Sequence, residues 1–367
     1  MAELKHAQPA EDTLPAEELP LAEEAVSSQP HRGKKSTGRR ILGIVGRFFA
    51  VVGVLLTAFV ILVVGAVTII CKGPSNSAAE VFVNTVMETS AAKFIAHLYF
   101  SDEEVANILY KYAVIETDEI TAPSDPFQPL PEDEMDDLTI EEIRGQTYHG
   151  YMMIIRDPSR LQVAALEKYD GRGGKRLEDF YADSGAVAIV NAGGFEDAGG
   201  KGNGGTPLGI VIHNSELLYG SLTESSCVIG FDQNDRLVVG RMTGQQALDR
   251  CLRDAVSFGP VFIVNGKPSE ISGSGGGLNP RTVIGQREDG TVLLLVIEGR
   301  MASSLGATYK DCVDVMLDYG AVNAGNLDGG SSSLMIYNGE YVNISASLYG
   351  SRFLPDAIVV MPAKGEQ

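Results

Sequence analysis

Two glycine-rich loops carry the side chains with the clearest capacity for chemistry. One loop covers residues 323–333 and places Asp328 among asparagines, glycines and three serines. The other covers residues 191–205 and repeats the order Asn-Ala-Gly, acidic residue and glycine cluster. Each loop alone would also fit a surface turn. Because sites favour loops held by a rigid scaffold, the pair predicts two walls of one pocket.

Further charged side chains lie at the ends of predicted strands. Glu298 and Arg300 follow the apolar run 292–297, and Arg281 comes directly before the run 282–285. Glycoside hydrolysis uses carboxylates to stabilise an oxocarbenium-like centre, to activate water or to attack. A guanidinium group can grip a phosphate with parallel hydrogen bonds. The residue types therefore suit chemistry on sugars and on phosphate esters.

Short apolar runs separated by turn residues dominate the chain after residue 147 and predict antiparallel hairpins. Five hairpins are expected, with turns at 157–159, 214–215, 234–235, 289–290 and 338–339. A closing strand is expected at 357–361, and helices are expected at 308–319 and at about 245–255. The predicted fold class is mixed α/β (α+β), strand-rich with several antiparallel hairpins, and preceded by a single transmembrane helix.

The N-terminal part of the chain predicts a membrane anchor. Residues 48–70 carry no charge, and about 20 apolar residues span a bilayer as a helix. Basic residues before this run and an acidic chain after it predict a cytoplasmic N-terminus and an extracellular C-terminal domain. The expected organisation is a disordered tail at 1–40, a transmembrane helix at 41–71, a helical stalk and acidic linker at 72–145, and a folded domain at 146–367.

Composition excludes several classes of protein. The net charge of −19 lies entirely beyond residue 47, which argues against a nucleic-acid surface. The histidines and cysteines lack metal-ligand spacing, so no metal or other cofactor is expected, although the Asp/Asn-rich loops leave Ca²⁺ open. The G-x-G-x-x-G match at 200–205 precedes a strand rather than a helix, which argues against a dinucleotide site. Oligomeric state and disulfide pairing are not predicted.

Four motifs occur in a characteristic order. They are Asn191-Ala192-Gly193 with Phe195, Asn279-Pro280-Arg281-Thr282, Glu298-Gly299-Arg300, and Asn326-Leu327-Asp328-Gly329-Gly330-Ser331-Ser332. Jointly, over about residues 148–362, they resemble the phosphodiester glycosidase family. The chain departs from the family pattern at Glu298, where aspartate is expected, and in a longer glycine insert after Asn191.

The resemblance implies a role for each candidate residue. Asp328 is expected to act at the anomeric carbon as nucleophile or base, with Glu298 as the second carboxylate. Arg281, assisted by Arg300, is expected to stabilise the departing phosphate, whose second pKa of about 6 makes it a good leaving group. The expected substrate-binding set is Asn191, Gly193, Arg300, Asn326, Gly329, Gly330, Ser331 and Ser332.

Structural alternatives remain for three of these residues. Arg281 would also suit a structural salt bridge, and Glu298 would equally suit the orientation of Arg300. Asn191 would suit the capping of a turn.

The expected function is a membrane-anchored extracellular hydrolase of a glycosyl phosphodiester. The sugar is expected to be of the N-acetylhexosamine type and to belong to a surface glycan such as an exopolysaccharide of the cell envelope. The expected partners are that carbohydrate phosphodiester and the lipid bilayer. The alternative is a non-catalytic, membrane-tethered carbohydrate-binding or scaffold protein of envelope polysaccharide assembly.

Overall fold

The computed structural model describes residues 37–115, 117–128, 131, 138–347 and 350–363. Most of the tail predicted at 1–40, namely residues 1–36, lies outside the described residues. The chain divides into two compact units, Met1–Val63 and Val64–Gln367. In the described part of the first unit, the chain is helical and its apolar side chains are exposed.

One helix, α1 (Thr37–Lys72), begins in the first unit. Within it, the stretch Ile44–Lys72 is long and apolar enough to cross a membrane, and only 6% of its most apolar window is buried. A core helix of a soluble protein would be largely buried, so the exposure of this apolar surface favours a signal anchor or a membrane span.

The second unit holds the remaining described helices and the strands. The helices are α2 (Asn76–Met87), α3 (Lys93–His97), α4 (Asp102–Lys111), α5 (Leu177–Ser184), α6 (Gly244–Asp249) and α7 (Tyr309–Asp318). The strands are β1 (Val114–Ile115), β2 (Leu138–Arg144), β3 (His149–Ile155), β4 (Leu161–Ala165), β5 (Lys175–Arg176), β6 (Ala188–Asn191), β7 (Val211–His213), β8 (Glu216–Tyr219), β9 (Ser225–Asp232), β10 (Leu237–Thr243), β11 (Leu252–Ser257), β12 (Val261–Val264), β13 (Lys267–Pro268), β14 (Glu270–Ile271), β15 (Arg281–Arg287), β16 (Val292–Ile297), β17 (Ala321–Leu327), β18 (Met335–Tyr337), β19 (Glu340–Tyr341), β20 (Phe353–Leu354) and β21 (Asp356–Val360).

Three antiparallel sheets enclose a common core. Their strand orders are β13-β12-β17-β15-β16-β3-β2, β10-β9-β11-β7-β8 and β19-β18-β6-β21-β4. Apolar side chains from all three sheets meet in one buried cluster, which includes Met153, Ile229 and Val190. Helix α7 covers the other face of the seven-stranded sheet, with Cys312 and Met316 buried there. The mixed α/β, strand-rich fold class is therefore confirmed.

Four of the five predicted hairpins are confirmed: β7–β8, β9–β10, β15–β16 and β18–β19. The fifth, across residues 157–159, is wrong, because β3 pairs with β16 whereas β4 pairs with β21. Both β3 and β4 bury side chains in the shared core, so the short turn carries the chain from one sheet to another. The helix expected at 245–255 ends early, and β11 takes its second half.

The chain before residue 146 takes part in the same fold. Helices α2, α3 and α4 form a small core of their own, around Val83, Val86, Ala96 and Val105. We call residues 76–111 the N-terminal helical segment. The strand that follows it, β1, pairs with β14, and β2 forms an edge of the seven-stranded sheet. The sheet thus begins before the domain boundary expected at residue 146.

Candidate functional site

The strand order brings the charged motifs to one end of three adjacent central strands, β15, β16 and β17, of the seven-stranded sheet. Strand β15 runs antiparallel to both of its neighbours, with Arg281 opposite Ile297 and Thr282 opposite Leu327. The beginning of β15 therefore lies beside the ends of β16 and β17. Arg281, the residues after β16 and the residues after β17 meet there.

The two loops that were predicted to form one pocket are directly connected. Asn191, at the end of β6, donates from Nδ2 to the carbonyl oxygen of Asp328 over 2.6 Å. Its Oδ1 accepts hydrogen bonds from Thr282 Oγ1 and from the Leu334 amide. The Asp328 amide in turn donates to the carbonyl oxygen of Ala192 over 2.8 Å. Asn191 is fully buried, so it fastens the loops together and does not face a ligand.

A cavity of about 570 Å³ opens beside these loops. Eight of the eleven predicted site residues line it: Arg281, Arg300, Asn326, Asp328, Gly329, Gly330, Ser331 and Ser332. Asn191, Gly193 and Glu298 are not among the lining residues. The cavity is also lined by residues that sequence reasoning did not select, including Glu88, Asp197 and Arg352.

Asp328 lies in the wall of the cavity in an environment that favours its neutral form. Burial raises the pKa of its carboxyl group to about 6, and the charge of Asp197 acts in the same direction. A hydrogen bond from Ser332 and the charge of Arg352 partly oppose this rise. The change of protonation state therefore falls close to neutral pH, and pKa shifts of this kind cluster at functional sites.

A second buried carboxyl group, Asp356, was missed by sequence reasoning. Its Oδ1 accepts a hydrogen bond of 2.6 Å from the Gly193 amide, and its Oδ2 has no partner among the described residues. Burial, together with the charge of Asp328, raises its pKa to about 7. The only signal in the sequence is an acidic residue at the start of an apolar strand. Gly193 thus supports Asp356 and does not contact a ligand.

Arg281 is the residue whose predicted role changes most. Its side chain is buried, and Nη2 donates to Glu88 Oε2 over 2.6 Å and to the Gly277 carbonyl over 2.7 Å. The guanidinium group also lies 4.0 Å from the centre of the Tyr309 ring. Although burial opposes the charge, Glu88 raises the pKa of Arg281. This is the structural salt bridge that the sequence left open.

Arg300 is better placed to meet an anion. It is exposed, and Nη2 donates to Asn279 Oδ1 over 3.1 Å. In the described part of the chain, Arg300 forms no ion pair with a carboxylate. Although the residue as a whole is exposed, desolvation of its guanidinium group and the nearby charge of Arg281 lower the pKa of Arg300, and the charges of Glu88 and Asp328 only partly oppose this shift. Its φ of 60° is unusual for a residue with a side chain, and such strain is frequent at functional sites.

Glu298 is held away from the cavity. Its Oε2 lies 3.0 Å from His149 Nδ1, and its Oε1 accepts a hydrogen bond of 2.7 Å from the Ile344 amide. Its own carbonyl oxygen accepts from Ser304 Oγ. With 3% exposure, the side chain fastens neighbouring segments together. The structure does not bring it to Asp328, so we do not retain it as a catalytic carboxylate.

An ion pair between Arg352 and Asp197, a residue of the loop 191–205, also lines the cavity. Arg352 Nη2 donates to Asp197 Oδ1 over 2.8 Å, and Nη1 donates to Ser331 Oγ over 3.2 Å. Although burial opposes the shift, hydrogen bonds from Arg352, Gly202 and Ser90 lower the pKa of Asp197. Asp197 therefore stays charged beside Asp328.

No group of three or more His, Cys, Asp or Glu side chains in the described ranges is arranged to hold a metal ion. The expectation of a metal-free, cofactor-free site remains a prediction. The four cysteines, Cys71, Cys227, Cys251 and Cys312, are free, and Cys251 alone among them is exposed.

The strand-rich α/β fold, with its charged cavity at the ends of central strands, agrees with the comparison to known families. Residues 184–361 match the model of the family described as phosphodiester glycosidase. This part of the chain, which contains Asp328 and Arg300, therefore belongs to the phosphodiester glycosidase family, as the sequence motifs predicted.

Individual relatives are distant. The SPbeta prophage-derived uncharacterized protein YomE of Bacillus subtilis (strain 168) is 29% identical over 168 residues, which are 43% of this chain. The chain spans about a quarter (25%) of the length of that relative.

Among solved structures, one similar fold is that of the zebrafish N-acetylglucosamine-1-phosphodiester alpha-N-acetylglucosaminidase catalytic domain, auto-inhibited by its pro-peptide. Its TM-score is 0.50 at 18% identity, over 61% of this chain and 82% of that one. A putative exported protein from Burkholderia pseudomallei K96243 has a TM-score of 0.45 at 18% identity, over 59% and 74% of the two chains.

Proposed function

We propose that the protein is a membrane-anchored extracellular hydrolase that cleaves a glycosyl phosphodiester in a surface glycan. The observation that carries the proposal is that Asp328 and Arg300 line the same cavity within a phosphodiester glycosidase domain. The name of the zebrafish relative supports a sugar of the N-acetylhexosamine type. The apolar surface of α1 supports attachment to a membrane.

The chemistry assigns different tasks to the two residues. Cleavage between the anomeric carbon and the phosphate oxygen leaves an oxocarbenium-like centre and a departing phosphate. Asp328 in its ionised form attacks the anomeric carbon or activates water. Arg300 stabilises the negative charge of the leaving phosphate, the task that the sequence had assigned chiefly to Arg281. Ser331 and Asn326, in the same cavity wall, bind the sugar.

The test is turnover of UDP-N-acetylglucosamine, a sugar-1-phosphate ester, by the detergent-solubilised full-length protein. The wild type is expected to release free sugar. Asp328→Asn is expected to lower kcat by about 10³-fold or more and to unfold at the same temperature as the wild type. Asp314→Asn is the matched control, because Asp314 forms an exposed ion pair with Lys310 on α7. Full activity of Asp328→Asn would refute the assignment.

The alternative of a non-catalytic carbohydrate-binding protein is favoured by one observation. Of the two predicted catalytic carboxylates, only Asp328 lines the cavity, because Glu298 is held elsewhere. A binder would retain UDP-N-acetylglucosamine without releasing sugar. Equilibrium binding measured beside turnover separates the two functions.

A further inference from the structure

One wall of the cavity comes from outside the part of the chain that matches the family. Residues 87–91 and Lys93, at and after the end of α2, line it. Ser90 Oγ donates to Asp197 Oδ2 over 2.8 Å and so connects this wall to the glycine loop. Sequence analysis had assigned these residues to a stalk.

Glu88, the residue directly after α2, has its carboxylate held by three donors. Oε1 accepts from the Gly277 amide over 2.6 Å. Oε2 accepts from Asn279 Nδ2 over 3.0 Å and from Arg281 Nη2 over 2.6 Å. Both oxygens are therefore engaged at the point where β15 begins.

Close contacts also hold α2 against the backbone of residues 277–278. A Cβ atom added at Gly277 would lie 2.2 Å from the Thr85 nitrogen, so α2 packs directly on the Gly277 backbone. The Leu278 amide also donates to Thr85 Oγ1 over 3.0 Å. The helical segment nevertheless leaves the cavity of about 570 Å³ open beside Asp328, so it forms a wall and does not fill the site.

Glu88 also determines which way the Asn279 amide faces. A carboxylate can only accept hydrogen bonds, so the Asn279 NH₂ group must point towards Glu88. The Asn279 oxygen then points the opposite way, where it accepts from Arg300 Nη2 over 3.1 Å. A chain of contacts thus runs from Glu88 through Asn279 to the guanidinium group that lacks a carboxylate partner in the described part of the chain.

We infer that Glu88 is a positioning residue for the phosphate subsite. It neutralises Arg281 and orients Asn279, so that Arg300 remains the cation available to the phosphate group of the substrate. This inference rests on the proposed function and adds the N-terminal helical segment to the site.

The test compares Glu88→Gln with Glu80→Gln in the detergent-solubilised full-length protein. Glutamine keeps an oxygen that accepts from the Gly277 amide but turns an NH₂ group towards Asn279 Nδ2 and Arg281. Those two hydrogen-bond donors then face another donor and lose their acceptor. Glu80 lies on the same helix and pairs with Lys111 outside the cavity. Substrate is UDP-N-acetylglucosamine, and inorganic phosphate is the competing anion.

Glu88→Gln is expected to raise both the KM and the inhibition constant of phosphate about tenfold, whereas Glu80→Gln leaves both constants unchanged. A merely structural role would reduce the amount of active protein without changing the inhibition constant. Asn279→Ala is the second variant, to be used if Glu88→Gln does not fold. It interrupts the chain of contacts but keeps the Glu88–Arg281 pair, and it is expected to raise the same two constants.

Unchanged constants in a folded Glu88→Gln variant would overturn the inference. If Glu88→Gln does not fold, unchanged constants in Asn279→Ala would overturn it. A gain of activity in Glu88→Gln would also overturn it, because the segment would then act as an inhibitory plug. If the wild type releases no sugar, the proposed function fails instead, and the two failures are distinguished by that first measurement.

Discussion

Asp328 combines partial burial with nearby charges of both signs. Its burial raises the cost of ionisation, while Ser332 and Arg352 reduce that cost. The charge of Asp328 in turn contributes to the raised pKa of the buried Asp356. The two carboxyl groups therefore form an interacting pair whose pKa values are both raised.

The raised pKa of Asp328 predicts a definite pH profile. As nucleophile or base, the group must be ionised, so kcat/KM for UDP-N-acetylglucosamine should rise with pH, reach half its plateau near the pKa of about 6 and stay level above it. A fall of kcat/KM through the same pH range would instead identify protonated Asp328 as a general acid.

Two neighbouring serines provide a matched test of that profile. Ser332 donates a hydrogen bond that favours ionised Asp328, whereas the Ser333 hydroxyl is buried without a partner among the described residues. Ser332→Ala should move the midpoint to higher pH, and Ser333→Ala should leave it unchanged. Equal midpoints in the two variants would contradict the assignment of the midpoint to Asp328.

Among the elements, the N-terminal helical segment and the strands that follow it determine how much of the chain is required for a stable, active protein. The segment supplies a wall of the cavity, β1 pairs with β14, and β2 covers the edge of β3. An uncovered strand edge presents unpaired backbone groups and invites aggregation. A protein that starts at residue 146 would lose all of these contacts.

Two truncations test the contribution of these elements. A protein of residues 73–367 retains them and should hydrolyse UDP-N-acetylglucosamine at close to the full-length rate. A protein of residues 146–367 should be inactive, and it should unfold at lower temperature or aggregate. The measurements are turnover, thermal unfolding and size-exclusion chromatography. Full activity of the shorter protein would show that the wall from α2 is dispensable.

For the molecule as a whole, the decisive feature is the apolar helix ahead of the domain. A water-exposed surface of this kind is unfavourable by about 25 cal/mol for each Å² of apolar area, which favours a lipid environment or a partner for α1. The basic residues before it favour a cytoplasmic N-terminus. Under the proposed function, the domain that follows α1 would then lie outside the cell.

Fractionation and thiol labelling test this placement. The full-length protein should stay in the membrane pellet after alkaline carbonate treatment, whereas residues 73–367 should be soluble. In intact cells, a membrane-impermeant maleimide should label Cys251, which is exposed, and Cys251→Ser should lose the label. Release by carbonate would contradict the membrane anchor, and labelling only after lysis would contradict the orientation.

The sequence alone determined the features that depend on local pattern. The hairpins at 214–215, 234–235, 289–290 and 338–339 follow from turn residues between apolar runs, and α7 follows from its apolar periodicity and the glycine after it. The joint order of four motifs identified the family that residues 184–361 match. The choice of Asp328 came from its place between glycines and hydroxyls at the end of a strand.

Tertiary structure decided which charged side chains are held by ion pairs or hydrogen bonds and which are available to a ligand. Arg281 and Arg300 look equivalent in the sequence, but Arg281 is paired by Glu88, a residue 193 positions earlier in the chain. Glu298 and Asp328 both follow strands, yet a histidine and a backbone amide hold Glu298 away from the cavity. Ion pairs between distant residues depend on how sheets and helices pack, and local pattern carries no record of that packing.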